Sequence, residues 1–199
     1  MKERPSMAVR KIVSLMHVSL DGFVADLKAP PPGLDWMAYT PELEQYAHSF
    51  HERADVAIHG RVTYRLMESY WPTVLDNPKS KPSTLKHARW LQKALKVVVS
   101  RTMKSTEWEN SLLFKDNLPE AFARLKQQPG KDMMIFGSPG LVKTLTKLDL
   151  IDEYHLLVQP TILGSGLPLF GELDHRVNLR LVKNTTLGEN IAALHYERV

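Results

Sequence analysis

Gly137, Ser138, Pro139 and Gly140 follow the apolar run Met133-Met134-Ile135-Phe136 and precede Leu141 and Val142. An apolar strand that ends in a glycine-bracketed turn and opens a helix suits an anion, because turn N–H groups and the positive end of the helix dipole both favour negative charge. The pair Gly137 and Gly140 makes only G-x-x-G, and glycine turns also join strands to helices where nothing binds, so this segment alone leaves both readings open. Three further turns carry related chemistry: Ser19-Leu20-Asp21-Gly22-Phe23, Gly60-Arg61-Val62-Thr63-Tyr64 and Ser100-Arg101-Thr102. An arginine grips phosphate oxygens bidentately, while hydroxyls and free helix N–H groups complete the oxygen shell. Arg61 or Arg101 alone equally suits a surface ion pair. Their joint placement with Thr63, Ser100 and Thr102 favours a long ligand carrying several phosphates.

These turns must be positioned by alternating strands and helices. Strands are expected at 10–18, 56–59, 96–100, 111–114, 132–136 and 153–158, and a terminal hairpin at 179–186 and 191–198 turns at Gly188-Glu189-Asn190. Helices are expected at 41–53 (Thr40 as N-cap, Pro41 at the first position), 61–68 (ended by Trp71-Pro72), 84–94, 118–127 and 141–147, with a loop over 73–82. The sum is an α/β domain whose central sheet is mostly parallel, with flanking helices and an antiparallel C-terminal hairpin. In such a sheet, ligands bind beyond the carboxyl ends of the strands, where all four turns fall.

A length of 199 residues fits one domain, over 9–199, preceded by a disordered tail at 1–8. The Ala29-Pro30-Pro31-Pro32-Gly33 stretch reads as a stiff surface loop. The chain has no cysteine, which excludes thiolate catalysis and Cys-ligated zinc; a cytoplasmic location is expected, with no membrane partner. No metal site is expected. A net charge of +4 permits polyanion binding without requiring it. Lys79, Lys81, Lys86, Arg89, Lys93, Lys96, Arg101 and Lys104 form a basic stretch that reads as a solvated helix face or as a surface for phosphorylated ligands. Nucleic acid is the weaker reading, because no reading motif accompanies the charge.

The ordered motifs Ser19-Leu-Asp-Gly-Phe-Val-Ala25, Gly60-Arg-Val-Thr-Tyr64, Val97-Val-Val-Ser-Arg-Thr102, Ile135-Phe-Gly-Ser-Pro-Gly140 and Pro160-Thr-Ile-Leu-Gly-Ser-Gly-Leu-Pro-Leu-Phe170 resemble the dihydrofolate reductase-like family that includes the C-terminal reductase domain of the bifunctional riboflavin biosynthesis protein. The resemblance spans about residues 9 to 198. It implies a dihydrofolate reductase-like fold, NADPH as hydride donor, a small-molecule substrate and a homodimer. The nicotinamide would lie near Met16, His17 and the loop from Leu20 to Ala25. Thr63 and the turn Gly137, Ser138, Pro139, Gly140 and Leu141 would hold the pyrophosphate, Ser100 and Arg101 would contact the adenosine 2′-phosphate, and Gly60, Arg61, Thr102 and Phe136 would complete the cofactor site.

The implied reaction is reduction of 5-amino-6-(5-phosphoribosylamino)uracil or of another small heterocyclic or carbonyl compound. The deaminase half has no counterpart, since H-x-E with P-C-x-x-C cannot occur without cysteine. Dihydrofolate reductases place a carboxylate on the helix after the first loop; Glu44 is the nearest counterpart, and a helical Glu is ordinarily just solvated. Asp21 either bonds substrate or caps its own turn. His17 orients substrate, donates a proton, or sits satisfied in the core. Gln159 and Trp36 are candidate substrate contacts. The alternatives are dihydrofolate reductase activity, a nucleotide-binding protein without turnover, and a nucleic-acid module using the basic stretch.

Overall fold

In a computed structural model, residues 9–28 and 33–199 are described; the tail expected at 1–8 and positions 29–32 of the proline loop lie outside the described residues. Among the described residues, the main sheet has eight strands: β1 (Ile12–Ser19), β3 (Ala54–Gly60), β4 (Leu95–Val99), β5 (Ser111–Phe114), β6 (Asp132–Phe136), β7 (Glu153–Gln159), β9 (Leu179–Leu187) and β10 (Ile191–Arg198). Their spatial order is β5-β4-β3-β6-β1-β7-β10-β9, and β2 (Phe23–Ala25) pairs separately with β8 (Leu167–Pro168). The first six pair in parallel, whereas β10 runs antiparallel to both β7 and β9. The mostly parallel sheet with an antiparallel terminal hairpin is as expected.

Among the described residues, five helices cover the sheet: α1 (Pro41–Arg53), α2 (Arg61–Asp76), α3 (Pro82–Lys93), α4 (Leu118–Lys126) and α5 (Pro139–Lys147). Because successive strand residues face opposite ways, β1 feeds two cores. Ile12, Met16 and Val18 belong to one with Phe122 and Leu125 of α4 and Leu141, Val142 and Leu145 of α5. Val13 and Leu15 join Leu43 and Phe50 of α1 in the other. Each such side chain contributes roughly 1.5–3 kcal/mol through burial. Helix α1 starts where expected: Thr40 is extended and its hydroxyl accepts the Leu43 N–H at 3.2 Å. Thr40→Ala is expected to cost about 1 kcal/mol, read as a fall of roughly 2–4 °C in a thermal melt.

Two expectations need correction. Helix α2 does not end at Trp71-Pro72 but runs through Pro72 to Asp76. Val74 is buried and Trp71 packs 4.5 Å from the His87 ring, so tertiary contacts outweigh the proline. Lys96 does not belong to the basic surface. It is fully buried, its ammonium donating to the Leu91 and Ala94 carbonyls at the end of α3 and lying 4.8 Å from the Trp108 ring centre.

Charge collects at the amino end of the parallel strands. Arg53 bridges Asp132 at 2.6 Å and Glu153 at 3.0 Å, and Lys11 bridges Glu153 at 2.7 Å and Glu197 at 3.0 Å. Arg10 pairs with Asp55, and Lys126 with Asp152. The opposite end is left to the turns that could bind a ligand.

Candidate functional site

Strands β3 and β6 lie side by side, so the helices that follow them, α2 and α5, begin next to each other. Gly137 and Ser138 both adopt left-handed backbone, with φ of 69° and 56°, which turns the chain sharply into α5. The Ser138 hydroxyl accepts the Gly60 N–H at 3.2 Å and ties the two turns together. Pro139 has no N–H, and those of Leu141 and Val142 return to the Ser138 carbonyl, which leaves the Ser138 and Gly140 N–H groups without an internal partner in this turn.

A cavity of about 450 Å³ opens here, lined by Gly60, Arg61, Val62, Thr63, Val99, Ser138, Pro139, Gly140, Leu141, Thr144 and Leu167. A Cβ built on Gly137 or Gly140 would meet nothing within 4 Å, so the backbone is open to close approach. Thr144 also lines an adjoining cavity of about 510 Å³ with Arg101, Lys115 and Lys147. The Arg101 side chain is 87% exposed, with only a 4.0 Å approach to Asp116, so its guanidinium is available to a ligand. Ser100, by contrast, is buried, and its hydroxyl accepts the N–H groups of Thr102 and Met103, shaping the turn that presents Arg101.

At the end of β1, the Ser19 hydroxyl donates to Asp21 Oδ1 at 2.7 Å. The Asp21 carboxylate also accepts the N–H groups of Leu163 at 3.1 Å and Gly164 at 2.7 Å. Asp21 therefore clasps the loop from Pro160 to Phe170 rather than capping only its own turn. Hydrogen bonds from Ser19 first, and then from those N–H groups, hold its carboxyl below the usual range. Leu20 N–H bonds the Thr161 carbonyl, so the exposed Leu20 side chain is carried by the same clasp, and Ala25 ends β2.

His17 lies two residues before the clasp, its Nδ1 3.0 Å from Gln159 Nε2. Burial lowers the His17 pKa to about 4, so the ring is neutral at pH 7. Gln159 is fully buried, and Trp36 turns its indole N–H onto the Gly33 carbonyl. Met16 lies in the core beneath.

Glu44 is not brought to this rim: it lines a separate 350 Å³ cavity with His48, Glu52 and Lys86, because Leu43 and Phe50 form the buried stripe of α1. Phe136 turns beneath α3 and packs against Trp90 and His87. Sequence reading missed Thr144, which its i+4 spacing from Gly140 could have indicated, and Leu167, Lys115 and Lys147, which only the fold brings in. It also missed a histidine cluster, in which His51 and His87 approach to 2.8 Å and His51 stacks 5.0 Å from Trp90. Glu153, His155 and His195 converge elsewhere with metal-ligand chemistry, but Arg53 and Lys11 already neutralise Glu153.

The family model of the RibD C-terminal domain matches residues 10–193. The uncharacterized protein YyaP of Bacillus subtilis (strain 168) is 31% identical over 189 residues, covering 94% of each chain. Among solved structures, a protein of Shewanella sp. PV-4 provisionally described as a riboflavin biosynthesis protein superposes with a TM-score of 0.72 at 25% identity, over 95% of this chain and 99% of that one. Dihydrofolate reductase from Enterococcus faecalis, complexed with NADP(H), shares the fold with a TM-score of 0.59 at 14% identity, over 94% and 96% of the two chains. Since the matched span runs from the first strand into the last and takes in every turn of the rim, the chain belongs to the RibD C-terminal domain family and carries a dihydrofolate reductase-like fold.

Proposed function

We propose that this protein is an NADPH-dependent oxidoreductase of the riboflavin-biosynthesis reductase type. It would transfer hydride to a small heterocyclic or carbonyl compound, in the manner of a 5-amino-6-(5-phosphoribosylamino)uracil reductase. The observation that carries this reading is the open cradle at Gly137 and Gly140, which shares Thr144 with a second cavity lined by Arg101, Lys115 and Lys147 alongside Asp116 and Asp174. A pyrophosphate suits the first part, since it needs N–H donors and close backbone approach. A 2′-phosphate suits the second, where exposed cations offer charge-assisted bonds.

NADPH, when bound, supplies the hydride and with it the electron pair. The protein's tasks are then to hold the nucleotide, to orient the substrate at the ends of β1 and β7, and to exclude water there. The Asp21 clasp fixes the loop from Pro160 to Phe170 over that end, and Leu167 reaches from the loop into the cradle. We take the protein to act as a homodimer, as its resemblance implies, and in the cytoplasm, as suits a chain without cysteine; among the described residues, no helix is long and apolar enough to cross a membrane.

Titration with NADPH and NADH, followed by nicotinamide fluorescence, tests the reading. NADPH is expected to bind at least about tenfold tighter, and Arg101→Ala to abolish that preference, a change of roughly 1.4 kcal/mol. Absence of binding by either nucleotide at micromolar concentration would overturn it.

A further inference from the structure

The two polar atoms of the Gln159 side chain are both engaged, and their partners fix what His17 does. Ala38 N–H donates to Gln159 Oε1 at 3.0 Å. A backbone N–H has no acceptor capacity, so the atom facing it must be the amide oxygen, and the amide cannot be turned over. The atom facing His17 Nδ1 at 3.0 Å is therefore the –NH₂ group, which can only donate. His17 Nδ1 must then carry a lone pair, and the ring's single proton resides on Nε2.

Burial acts in the same direction, because it keeps the imidazole neutral well below pH 7. Gln159 itself is sealed in the structure, one strand over from His17 in the β1–β7 pairing, and its amide also anchors the segment that carries Tyr39. The Tyr39 ring lies 5.9 Å from the His17 ring and is 72% exposed. Among the described residues, His17 Nε2 has no hydrogen-bond partner.

We infer that Gln159 is a positioning residue that locks His17 as an Nε2–H donor, and that this donor selects substrates presenting a carbonyl oxygen on the ring at the ends of β1 and β7. His17 then polarises an acceptor and does not deliver the proton that accompanies hydride transfer. This substrate preference rests on the reductase reading above, whereas the locked tautomer does not.

Imidazole 15N spectra of the full-length protein at pH 7 test the lock directly. Wild-type His17 is expected to show a protonated Nε2 and an unprotonated Nδ1. In Gln159→Glu, a carboxylate accepts from both Ala38 and His17, so Nδ1 is expected to gain a proton; Gln159→Met should give a mixture of tautomers. An Nδ1-protonated wild-type ring, or spectra unchanged in both variants, would overturn the lock.

The preference is tested with 5,6-diaminouracil, which presents carbonyl oxygens at C2 and C4, against 2,4,5,6-tetraaminopyrimidine, which presents amino groups at those positions. Wild type is expected to bind the first at least about tenfold tighter, as one additional hydrogen bond would give, with the His17 Nε2 resonance shifting. Gln159→Met should reduce that ratio. A shared affinity, or no shift at His17, would overturn the preference. NADPH binding in the same samples reports on the reductase reading separately.

Discussion

Acidification from pH 7 to about pH 4 is expected to unfold the protein. Burial is the largest cause lowering the pKa of six histidines in the fold: His17, His51 and His59 to about 4, His87 to about 3, and His48 and His155 in the same direction. In the unfolded chain each titrates near 6.5. Below that pH the unfolded chain binds protons that the folded chain refuses, so stability falls as pH falls and the loss continues until about pH 3–4. Each tenfold difference in proton affinity between the two states is worth about 1.4 kcal/mol. Because His51 and His87 share a hydrogen bond they do not contribute independently, and His51 is partly screened by solvent. A combined loss on the order of 5 kcal/mol is still comparable to the whole stability of a typical domain. Glu153 acts in the same direction: despite its burial, bonds from His155 and Lys11 and the charge of Arg53 hold its carboxyl far below the usual range.

Urea melts at pH 7, 5.5 and 4.5 check this, and a midpoint that stays constant across them would refute it. His59 offers a sharper version. Both of its ring nitrogens are buried without a hydrogen-bond partner. His59→Leu removes two unpaired polar atoms, and is expected to stabilise the protein at pH 7 by about 1 kcal/mol and to flatten the acid limb of the profile.

Gly166→Ala is expected to impair both folding and nucleotide binding. A Cβ at Gly166 would lie 2.3 Å from the Ala25 carbonyl oxygen and 3.2 Å from the Phe23 side chain. Ala25 belongs to β2, which pairs with β8 directly after Gly166, and Leu169 N–H bonds the Gly22 carbonyl on the same turn. The clash involves backbone on both sides, so the loop and β2 must separate. Overpacking of this kind costs roughly 1–3 kcal/mol, and the displaced Leu167 would leave the cavity proposed to hold the nucleotide, so NADPH binding is expected to weaken by about tenfold or more. Gly164→Ala is the comparison. Its φ is +72°, yet no atom lies within 4 Å of the added Cβ, so only the backbone strain, of about 1 kcal/mol, is expected. Equal effects from the two substitutions, in melting temperature and in NADPH affinity, would show that the contact with Ala25 is not what matters.

What the sequence made legible follows from the range of the forces involved. The strands around Ile12, Val97 and Ile135 are short apolar runs buried on both faces, and their local composition marks them. The N-cap at Thr40 was legible because capping is settled within four residues. Pro72 misled, since its local signal was outweighed by the burial of Val74 and the contact between Trp71 and His87, which sequence proximity does not encode. Strands β2 and β8, of three and two residues, are too short to display any period. The local sequence around Asp21 indicates its bond to Ser19 but not the loop it clasps, because its partners Leu163 and Gly164 are 142 and 143 residues away. The basic stretch was read as one surface, but only the fold distinguishes exposed Lys86 from Lys96, which serves the end of α3.

The separation of the ion pairs from the ligand rim has a consequence for how such a chain can diversify. Arg10, Lys11, Arg53, Asp132 and Glu153 brace the amino ends of the strands, while Leu20, Arg61, Arg101 and Gly140 occupy turns at the other ends. Turn residues there can be exchanged without touching the braces, so new specificities are open to mutation at little risk to the scaffold, and one frame can host descendants that act on different compounds.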